Sequence, residues 1–312
     1  MNPQNQATVI IPCFNVEEYI QECLDSVKAQ GASVHHTYVV DNNSSDDTVK
    51  KVKEWQAKHP NFSLTIRHEK KPGAPAARNN PLHLVKTKWI QFLDADDLLL
   101  PKKIEEKTKL YPKVDAICAG AIHLSLDGTE RPLIPESNIP LALMRGAAGI
   151  TSSNIYSTAS IKLINGWNES LLSSQEYDLM FRLWKTEGIF AVDSEPRALI
   201  RERESGQISQ RNPSEKWMHF IELRLHMLED FTEKDVLNDH LIQQCRQSLF
   251  DRIRTLATYD LPKATLLFNH NLKPFGFVPQ ANDANSQNYI NLFKIFGFHL
   301  TERMKHLTRG ST

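Results

Sequence analysis

The chain has 312 residues, of which 40% are hydrophobic and 24% charged, as is ordinary for a globular protein. Lys and Arg together number 37, as do Asp and Glu, so the formal net charge is zero. This balance argues against a nucleic-acid-binding protein, which would carry a basic excess or a basic stripe. The length predicts one large domain with an appendage.

The cysteines and the N-terminus indicate a cytoplasmic protein. Cys13, Cys23, Cys118 and Cys245 form no C-x-x-C pair and no cluster with histidines, so the pattern predicts reduced thiols rather than a zinc site or disulfides. Residues 1–7 are polar and do not resemble a signal peptide. No apolar run reaches the roughly 18 to 20 residues needed to cross a bilayer.

The first half of the chain alternates short apolar runs with amphipathic stretches. Strands are predicted at residues 8–11, 34–40, 62–66 and 89–93, and helices at 19–27, at 48–55 and from about residue 76 through Leu82 and Val85. This order predicts an α/β fold with right-handed crossovers, a mostly parallel sheet and helices on both faces. Polar clusters follow three strands, at residues 12–15, 41–46 and 94–97. Because ligands bind at the carboxyl ends of such strands, the clusters predict a binding site.

The pattern changes after Pro101. A long strand at 115–126, a tight turn at Asp127-Gly128 and a return strand at 130–134 predict a hairpin, followed by a helix at 175–185. Beyond Asn212 only helical periodicity is visible, at 217–228, 236–256 and 289–304. We therefore predict a domain of residues 1–212 and a helical C-terminal region of residues 213–312.

The acidic cluster Asp94-Ala95-Asp96-Asp97 predicts a site for a metal ion and phosphate. Asp94 and Asp96 point the same way on an extended segment, and paired carboxylates need a cation between them. Mg²⁺ or Mn²⁺ takes one or two carboxylates and completes its shell with phosphate oxygens. For Asp97, a structural role ahead of the helix predicted near Pro101 is an equal alternative.

Other polar residues have a functional and a structural interpretation. Asp41 can accept a hydrogen bond from a base or a ribose, or it can form an Asx turn, and Asp46 is assigned to that turn or to a helix cap. Phe14 offers a ring for stacking on a base or for the core. Arg78 can reach phosphates. Glu176 and Asp178 open a predicted helix, either as partners of its dipole or as the base of a sugar transfer, and only one of them can face the acceptor.

Together these segments resemble the family-2 inverting glycosyltransferases of the GT-A fold, over residues 8–209. The resemblance rests on residues 9–17, 23–27, 39–46, 77–79 and 92–97, which follow in the order and spacing of the family. It implies transfer of a sugar from a nucleotide-diphosphate sugar to an acceptor hydroxyl, with Mn²⁺ or Mg²⁺ as cofactor. Synthesis of cell-surface polysaccharide or glycolipid is the implied setting, with a carbohydrate or lipid-linked acceptor.

The resemblance also implies roles for individual residues. Donor-binding residues would be Pro12, Phe14, Glu17, Asp41, Asn43, Arg78, Asp94, Ala95 and Asp96. Trp167 and Asn168 would lie on the acceptor side. The Glu-Asp pair of the family is Gln175-Glu176 here, so Glu176 would be the base and Asp178 the alternative.

The chain departs from the family pattern at three further positions. Asn42 replaces an acidic residue of the nucleoside segment, and Pro81 replaces a glycine. Glu204 stands near the position of a histidine that approaches the metal, so it is a candidate ligand beside Asp94 and Asp96, and residues 205–207 are a candidate lid.

Two alternatives remain open from the sequence. The domain could be a degenerate, non-catalytic protein that binds nucleotide sugars or a partner. The helical tail could pack as core, form a homodimer or lie on the inner face of the membrane, since residues 293–300 are apolar and are followed by Arg303, Lys305, His306 and Arg309.

Overall fold

The computed structural model describes residues 5–203 and 213–309. They form two compact units, one of residues 5–139 and 146–203 and one of residues 140–145 and 213–309. The division predicted at residue 212 lies outside the described residues. Within these two ranges, none of the helices combines the length and the apolar character of a membrane-crossing segment.

The secondary structure follows the predicted α/β order. The strands of the described residues are β1 (Ala7–Cys13), β2 (Val34–Asp41), β3 (Leu64–His68), β4 (Trp89–Phe92), β5 (Leu98–Leu99), β6 (Ala116–Ala119), β7 (Ala121–Leu124), β8 (Glu130–Leu133), β9 (Ile155–Ser157), β10 (Phe190–Asp193) and β11 (Ala198–Arg201). The helices are α1 (Ile20–Lys28), α2 (Thr48–Lys58), α3 (Ala74–Asn79), α4 (Lys103–Leu110), α5 (Ile139–Arg145), α6 (Thr158–Leu163), α7 (Gln175–Lys185), α8 (Pro213–Glu233), α9 (Asp239–Ala257), α10 (Leu261–Asn271) and α11 (Gln287–Arg309).

A seven-stranded, mostly parallel sheet forms the centre of the first unit, in the order β10-β6-β9-β4-β1-β2-β3. Strand β1 lies between β2 and β4 and is parallel to both, while β9 is antiparallel to its neighbours β4 and β6. The apolar run of β1 is buried, as expected for a strand covered on both faces. The carboxyl ends of β1, β2 and β4 therefore meet at one edge, which confirms the predicted mostly parallel α/β sheet.

A smaller four-stranded sheet, in the order β5-β11-β7-β8, lies in the same unit. The single long strand predicted at 115–126 is wrong, because Gly120 divides it into β6 of the large sheet and β7 of the small one. A Cβ atom on Gly120 would lie 2.8 Å from the carbonyl oxygen of Ser194, so only glycine fits this crossing. The predicted return of the hairpin is confirmed as β8.

Helix α3 is shorter than predicted. It ends at Asn79, and residues Leu82–Leu84 form a single 3₁₀ turn after Pro81. Proline cannot donate the backbone hydrogen bond that a continuing helix needs, so Leu82 and Val85 lie outside α3. Strand β9, the short strand between β4 and β6, was not predicted from the sequence.

The second unit consists of α5 and α8 to α11. The ring of Phe250 is packed by the rings of Phe268, Phe277, Tyr289, Phe293 and Phe298, at centroid distances between 5.5 and 6.2 Å. Helix α11 has a non-helical residue at Gly297 (φ 71°, ψ −179°), where it kinks. Of the predicted interfacial stretch 293–300, Phe293 and Phe298 are buried, whereas Ile295, Phe296 and Leu300 are exposed.

Candidate functional site

Three loops at the carboxyl edge of the large sheet carry most of the predicted site residues. The amide of Asn42, after β2, donates to the carbonyl of Cys13 at the end of β1 (2.8 Å). The amide of Leu93, after β4, donates to the carbonyl of Ile10 (3.0 Å). Backbone hydrogen bonds thus bring the loops together, as the parallel order of the strands requires.

Two arginine side chains pair with carboxylates of the acidic loop after β4. The amide of Asp97 donates to the carbonyl of Asp94 (3.0 Å) and closes a turn. Arg78 Nη2 lies 2.6 Å from Asp94 Oδ1, and Arg203 Nη1 lies 3.3 Å from Asp96 Oδ2. Asp94 and Asp96 therefore each have a cationic partner of their own.

Asp97 has a structural role, although not as a helix cap. Helix α4 begins only at Lys103, and Asp97 is buried. Its Oδ2 accepts from the hydroxyl of Ser152 (2.5 Å), and its Oδ1 accepts from the amide of Arg201 (3.2 Å). Burial, together with the charges of Asp96 and Asp94, raises the pKa of Asp97 well above its usual value.

Asp94 and Asp96 fit a divalent cation by the chemistry of their carboxylates. Burial and the neighbouring charge of Asp94 raise the pKa of Asp96, and a cation between them would relieve that repulsion. Within residues 5–203 and 213–309 no three His, Cys, Asp or Glu residues cluster as a metal site. A cation bound with a diphosphate needs only one or two carboxylates. Glu204 and the lid predicted at 205–207 lie outside the described residues.

On the side predicted for the nucleoside, Phe14 and Asp41 differ in exposure. Phe14 is 55% exposed, so its ring is free of the core, whereas Asp41 is buried. Asp41 Oδ1 accepts from the amide of Ser44 (3.2 Å), which is three residues on rather than the two of an Asx turn, and Oδ2 lies 3.2 Å from His68 Nδ1. Asp46 accepts from the amide of Thr48, two residues further on (3.0 Å), which is the hydrogen bond of the predicted turn.

Three further predicted donor residues have local partners or a backbone position. Glu17 Oε2 accepts from the amide of Asp47 (2.9 Å), just before α2. Asn43, with φ 69°, donates from Nδ2 to the carbonyls of Glu69 (3.3 Å) and Lys70 (3.2 Å). Pro12 lies within β1. Their roles toward a nucleoside stay predictions.

Arg78 links the acidic loop to the start of α7. Its guanidinium lies 4.4 Å from the ring centroid of Trp167, and its Nη1 donates to Gln175 Oε1 (3.4 Å). Asn79 fixes Trp167 by hydrogen bonds to both its carbonyl and its amide, each 2.8 Å. Trp167 is buried and so supports Arg78, while Asn168 accepts from the amide of Ser170 in a local turn (3.1 Å).

Glu176 is a buried carboxyl with three side-chain hydrogen-bond donors. Tyr156 Oη and Asn154 Nδ2 each lie 3.0 Å from Oε1, and Thr151 Oγ1 lies 3.2 Å from Oε2. Burial raises the pKa of Glu176 to about 7, an effect that the Tyr156 hydrogen bond and the charge of Arg78 partly offset. Such a carboxyl can take up or release a proton near neutral pH.

Asp178 has a different partner from Glu176. Its Oδ2 accepts from Arg182 Nε (2.8 Å), one turn further along α7, and its side chain is 14% exposed. This is the ordinary i,i+4 ion pair of a helix surface. The charges of Arg78 and Asp94 thus act on Glu176, whereas Asp178 forms its ion pair with Arg182.

No site role was predicted for Arg201 at the end of β11, for Arg203 two residues further on, or for the polar segment before β9. Arg201 and Arg203 both lie over the ring of Tyr19, with centroid distances of 5.2 and 4.9 Å. Arginines that are two residues apart can share one face of an extended segment, which is a pattern that could have identified them.

Residues 8–160 match the model of the family described as Glycosyl transferase family 2. Chondroitin synthase of Escherichia coli is 24% identical over 180 residues, which are 56% of this chain and 26% of that protein. The chain thus spans about a quarter of that relative's length.

Two solved structures share the fold. S. aureus TarS 1-349 in complex with UDP-GlcNAc has a TM-score of 0.63 at 17% identity, covering 97% of this chain and 92% of that chain. The mannosyltransferase PcManGT from Pyrobaculum calidifontis, in complex with GDP-Man and Mn²⁺, has a TM-score of 0.52 at 15% identity, covering 97% and 87%. Residues 8–160, just under half of the chain, therefore form a glycosyl transferase family 2 domain, which contains the core of a GT-A sheet.

Proposed function

We propose that the chain is an inverting glycosyltransferase that moves a sugar from a nucleoside diphosphate to an acceptor hydroxyl. The observation that carries this proposal is the position of Arg78, which joins Asp94 at the end of β4 to Gln175, the neighbour of Glu176. The Arg78 guanidinium, which can bind phosphate, and the Glu176 carboxyl, which titrates near neutral pH, therefore lie in one site. Sugar transfer needs both, one to stabilise the leaving diphosphate and one to take the proton of the acceptor.

On the donor side, the exposed ring of Phe14 stacks on the base, and Asp41 accepts from the base or the ribose. Arg78 stabilises the charge that develops on the leaving diphosphate, because its guanidinium is already held in place by Trp167. Asp94 and Asp96 would hold a divalent cation, which would supply Lewis-acid neutralisation of the diphosphate. Arg203, which pairs with Asp96, would have to release that carboxylate for the cation to bind.

On the acceptor side, Glu176 takes the proton of the acceptor hydroxyl. A pKa of about 7 leaves a substantial ionised fraction at neutral pH and still gives a base strong enough to accept a proton. In an inverting transfer, the hydroxyl attacks the sugar carbon opposite the bond to the diphosphate, so that bond breaks as the new one forms.

The relatives guide the choice of substrates to test. UDP-GlcNAc and GDP-Man are bound by TarS and PcManGT, and chondroitin synthase is named for a polysaccharide product. We place this chain in cell-surface polysaccharide or glycolipid synthesis, on the cytoplasmic side, with a carbohydrate or lipid-linked acceptor.

Release of nucleoside diphosphate tests the proposal. Purified protein is incubated with a panel that includes UDP-GlcNAc and GDP-Man, with Mn²⁺ or with chelator, and the released UDP or GDP is measured. We expect release with one donor, dependence on the cation, and loss in Asp96→Asn. Glu54→Gln, which removes an exposed charge from α2, is the matched control.

Full activity of Asp96→Asn in the presence of Mn²⁺ would rule out the assigned donor site. The non-catalytic alternative would be supported if the protein binds a nucleotide sugar but releases no UDP or GDP, even when acceptors are added to the panel.

A further inference from the structure

A short polar segment, residues 151–154, contacts both groups of carboxylates in the candidate site. It directly precedes β9, and all of its four residues are buried, with exposures of 8%, 1%, 0% and 0%. The amides of Ser153 and Asn154 both donate to the carbonyl of Ile150 (2.9 Å each), so the backbone forms a closed turn. Buried polar residues in such a turn need partners, and theirs lie in the site.

Ser152 holds the acidic loop after β4. Its hydroxyl donates to Asp97 Oδ2 (2.5 Å) and accepts from the amide of Asp94 (3.1 Å). Its carbonyl accepts from Gln91 Nε2 (3.2 Å), and Gln91 Oε1 accepts in turn from the buried Lys103. Ser152 is therefore fixed to the core of the sheet and fixes the loop that carries Asp94 and Asp96.

Thr151 and Asn154, on either side of Ser152 and Ser153, hold Glu176 instead. Thr151 Oγ1 donates to one carboxylate oxygen (3.2 Å) and Asn154 Nδ2 to the other (3.0 Å). Asn154 is itself anchored, because its Oδ1 accepts from the amide of Ala119 at the end of β6 (3.0 Å). A Cβ atom on Gly149 would lie 2.1 Å from that Oδ1, so glycine is needed for the side chain to fit.

We propose that Thr151, Ser152 and Asn154 are positioning residues, which set the donor-side acidic loop and Glu176 at a fixed separation. This inference rests on the proposed function, since it assigns a task to a segment beside that same site. Displacements of about 1 Å are sufficient to impair a transfer reaction. A single closed turn that bonds both sides gives a rigid spacer between them.

Three variants separate the two sides of the spacer. Thr151→Val removes the hydroxyl facing Glu176 at nearly constant shape, Thr151→Ser keeps it, and Ser152→Ala removes the hydroxyl facing the acidic loop. The pKa of Glu176 is followed by its carboxyl ¹³C resonance, assigned with Glu176→Gln. The affinity for UDP or GDP with Mn²⁺ is measured by calorimetry, and thermal melting verifies folding.

We expect Thr151→Val to raise the pKa of Glu176, because a hydrogen bond to the charged form is lost, and Thr151→Ser to restore it. Ser152→Ala should leave that pKa in place and weaken nucleotide binding about tenfold, the scale of one hydrogen bond to a charged group. An unchanged Glu176 pKa in Thr151→Val overturns the inference, and so do equal effects of Thr151→Val and Ser152→Ala on both measurements.

Failure of the proposed function has a different signature. The wild-type protein then releases no nucleoside diphosphate from any donor, while the ¹³C measurement still reports whether Thr151 acts on Glu176. If Ser152→Ala does not fold, the comparison of Thr151→Val with Thr151→Ser decides the inference.

Discussion

Arg78 and Asp94 form an ion pair in which the arginine is buried and the aspartate is not. The distance between Nη2 and Oδ1 is 2.6 Å, and the side chains are 7% and 36% exposed. The buried guanidinium is also packed 4.4 Å from the centroid of Trp167. Asp94 can therefore exchange its partner for a ligand without moving Arg78.

This arrangement predicts that Arg78→Lys is not a conservative change. Lysine loses the planar contact with Trp167 and cannot reach Asp94 and Gln175 together. We expect kcat/KM to fall about tenfold to a hundredfold, the effect of one or two lost charged hydrogen bonds. Steady-state kinetics measures this, and Lys50→Arg, an exchange in an exposed ion pair with Asp47, should have no effect. Wild-type kinetics of Arg78→Lys would contradict the role of Arg78.

The pKa of Glu176 predicts the acid limb of the activity profile. Because burial raises this pKa to about 7, the ionised base is lost as pH falls below about 7, and kcat/KM should fall with it. Glu176→Gln should lower kcat/KM at least about a hundredfold and leave no such limb. Asp178→Asn is the matched control on the same helix, since Asp178 is paired with Arg182. If Asp178→Asn abolishes activity and Glu176→Gln does not, the assignment of the base is reversed.

The same carboxyl should make folding stability depend on pH. The native state binds the proton of Glu176 more tightly than the unfolded state, whose glutamates titrate near 4.5. Stability therefore decreases as pH rises from about 4.5 to about 7, by up to about 3 kcal/mol at 1.36 kcal/mol per unit. Urea unfolding of wild type and Glu176→Gln at pH 5 and pH 7.5 isolates this contribution. Identical changes with pH in the two proteins would show that Glu176 is not the group responsible.

In the second unit, a buried ion pair predicts an asymmetric response to mutation. Arg254 Nε lies 2.5 Å from Glu302 Oε1, with side chains 6% and 2% exposed, and Arg254 also donates to the carbonyl of Ala284 (2.8 Å). Glu302→Leu leaves a buried guanidinium without its carboxylate, so it should lower the free energy of unfolding by about 3 to 5 kcal/mol. The double variant Arg254→Met with Glu302→Leu should regain most of that lost stability, as measured by thermal or urea unfolding. Equal stability of the single and double variants would show that the Arg254 guanidinium is not buried in solution.

The sheet and its site edge could be predicted because they leave periodic traces in the sequence. Apolar runs alternate with amphipathic helices, and each polar cluster follows a strand. Asp41 and the loop at 94–97 could therefore be assigned to the carboxyl edge of the sheet from the sequence alone. Short strands leave no such trace. Strand β9 has three residues, and Gly120 interrupts what looks like one continuous strand.

The partners of the acidic residues could not be predicted, because they depend on distant contacts. Ser152 and Asp97 are 55 residues apart, and Arg203 and Asp96 are 107 residues apart. Serine, threonine and asparagine occur in turns throughout any sequence, so their types alone do not identify a segment that bonds two sides of a site. The raised pKa of Glu176 also depends on burial, which a helix-opening glutamate does not reveal in the sequence.

The four native cysteines have a practical consequence. All are buried, and burial raises the pKa of each thiol, so very little reactive thiolate is present in the folded protein. A cysteine introduced at an exposed position, such as Lys53 on α2, would then react with a maleimide far faster than any of them. The natural sequence can thus carry a fluorescent or spin label at a chosen position while it keeps its own cysteines.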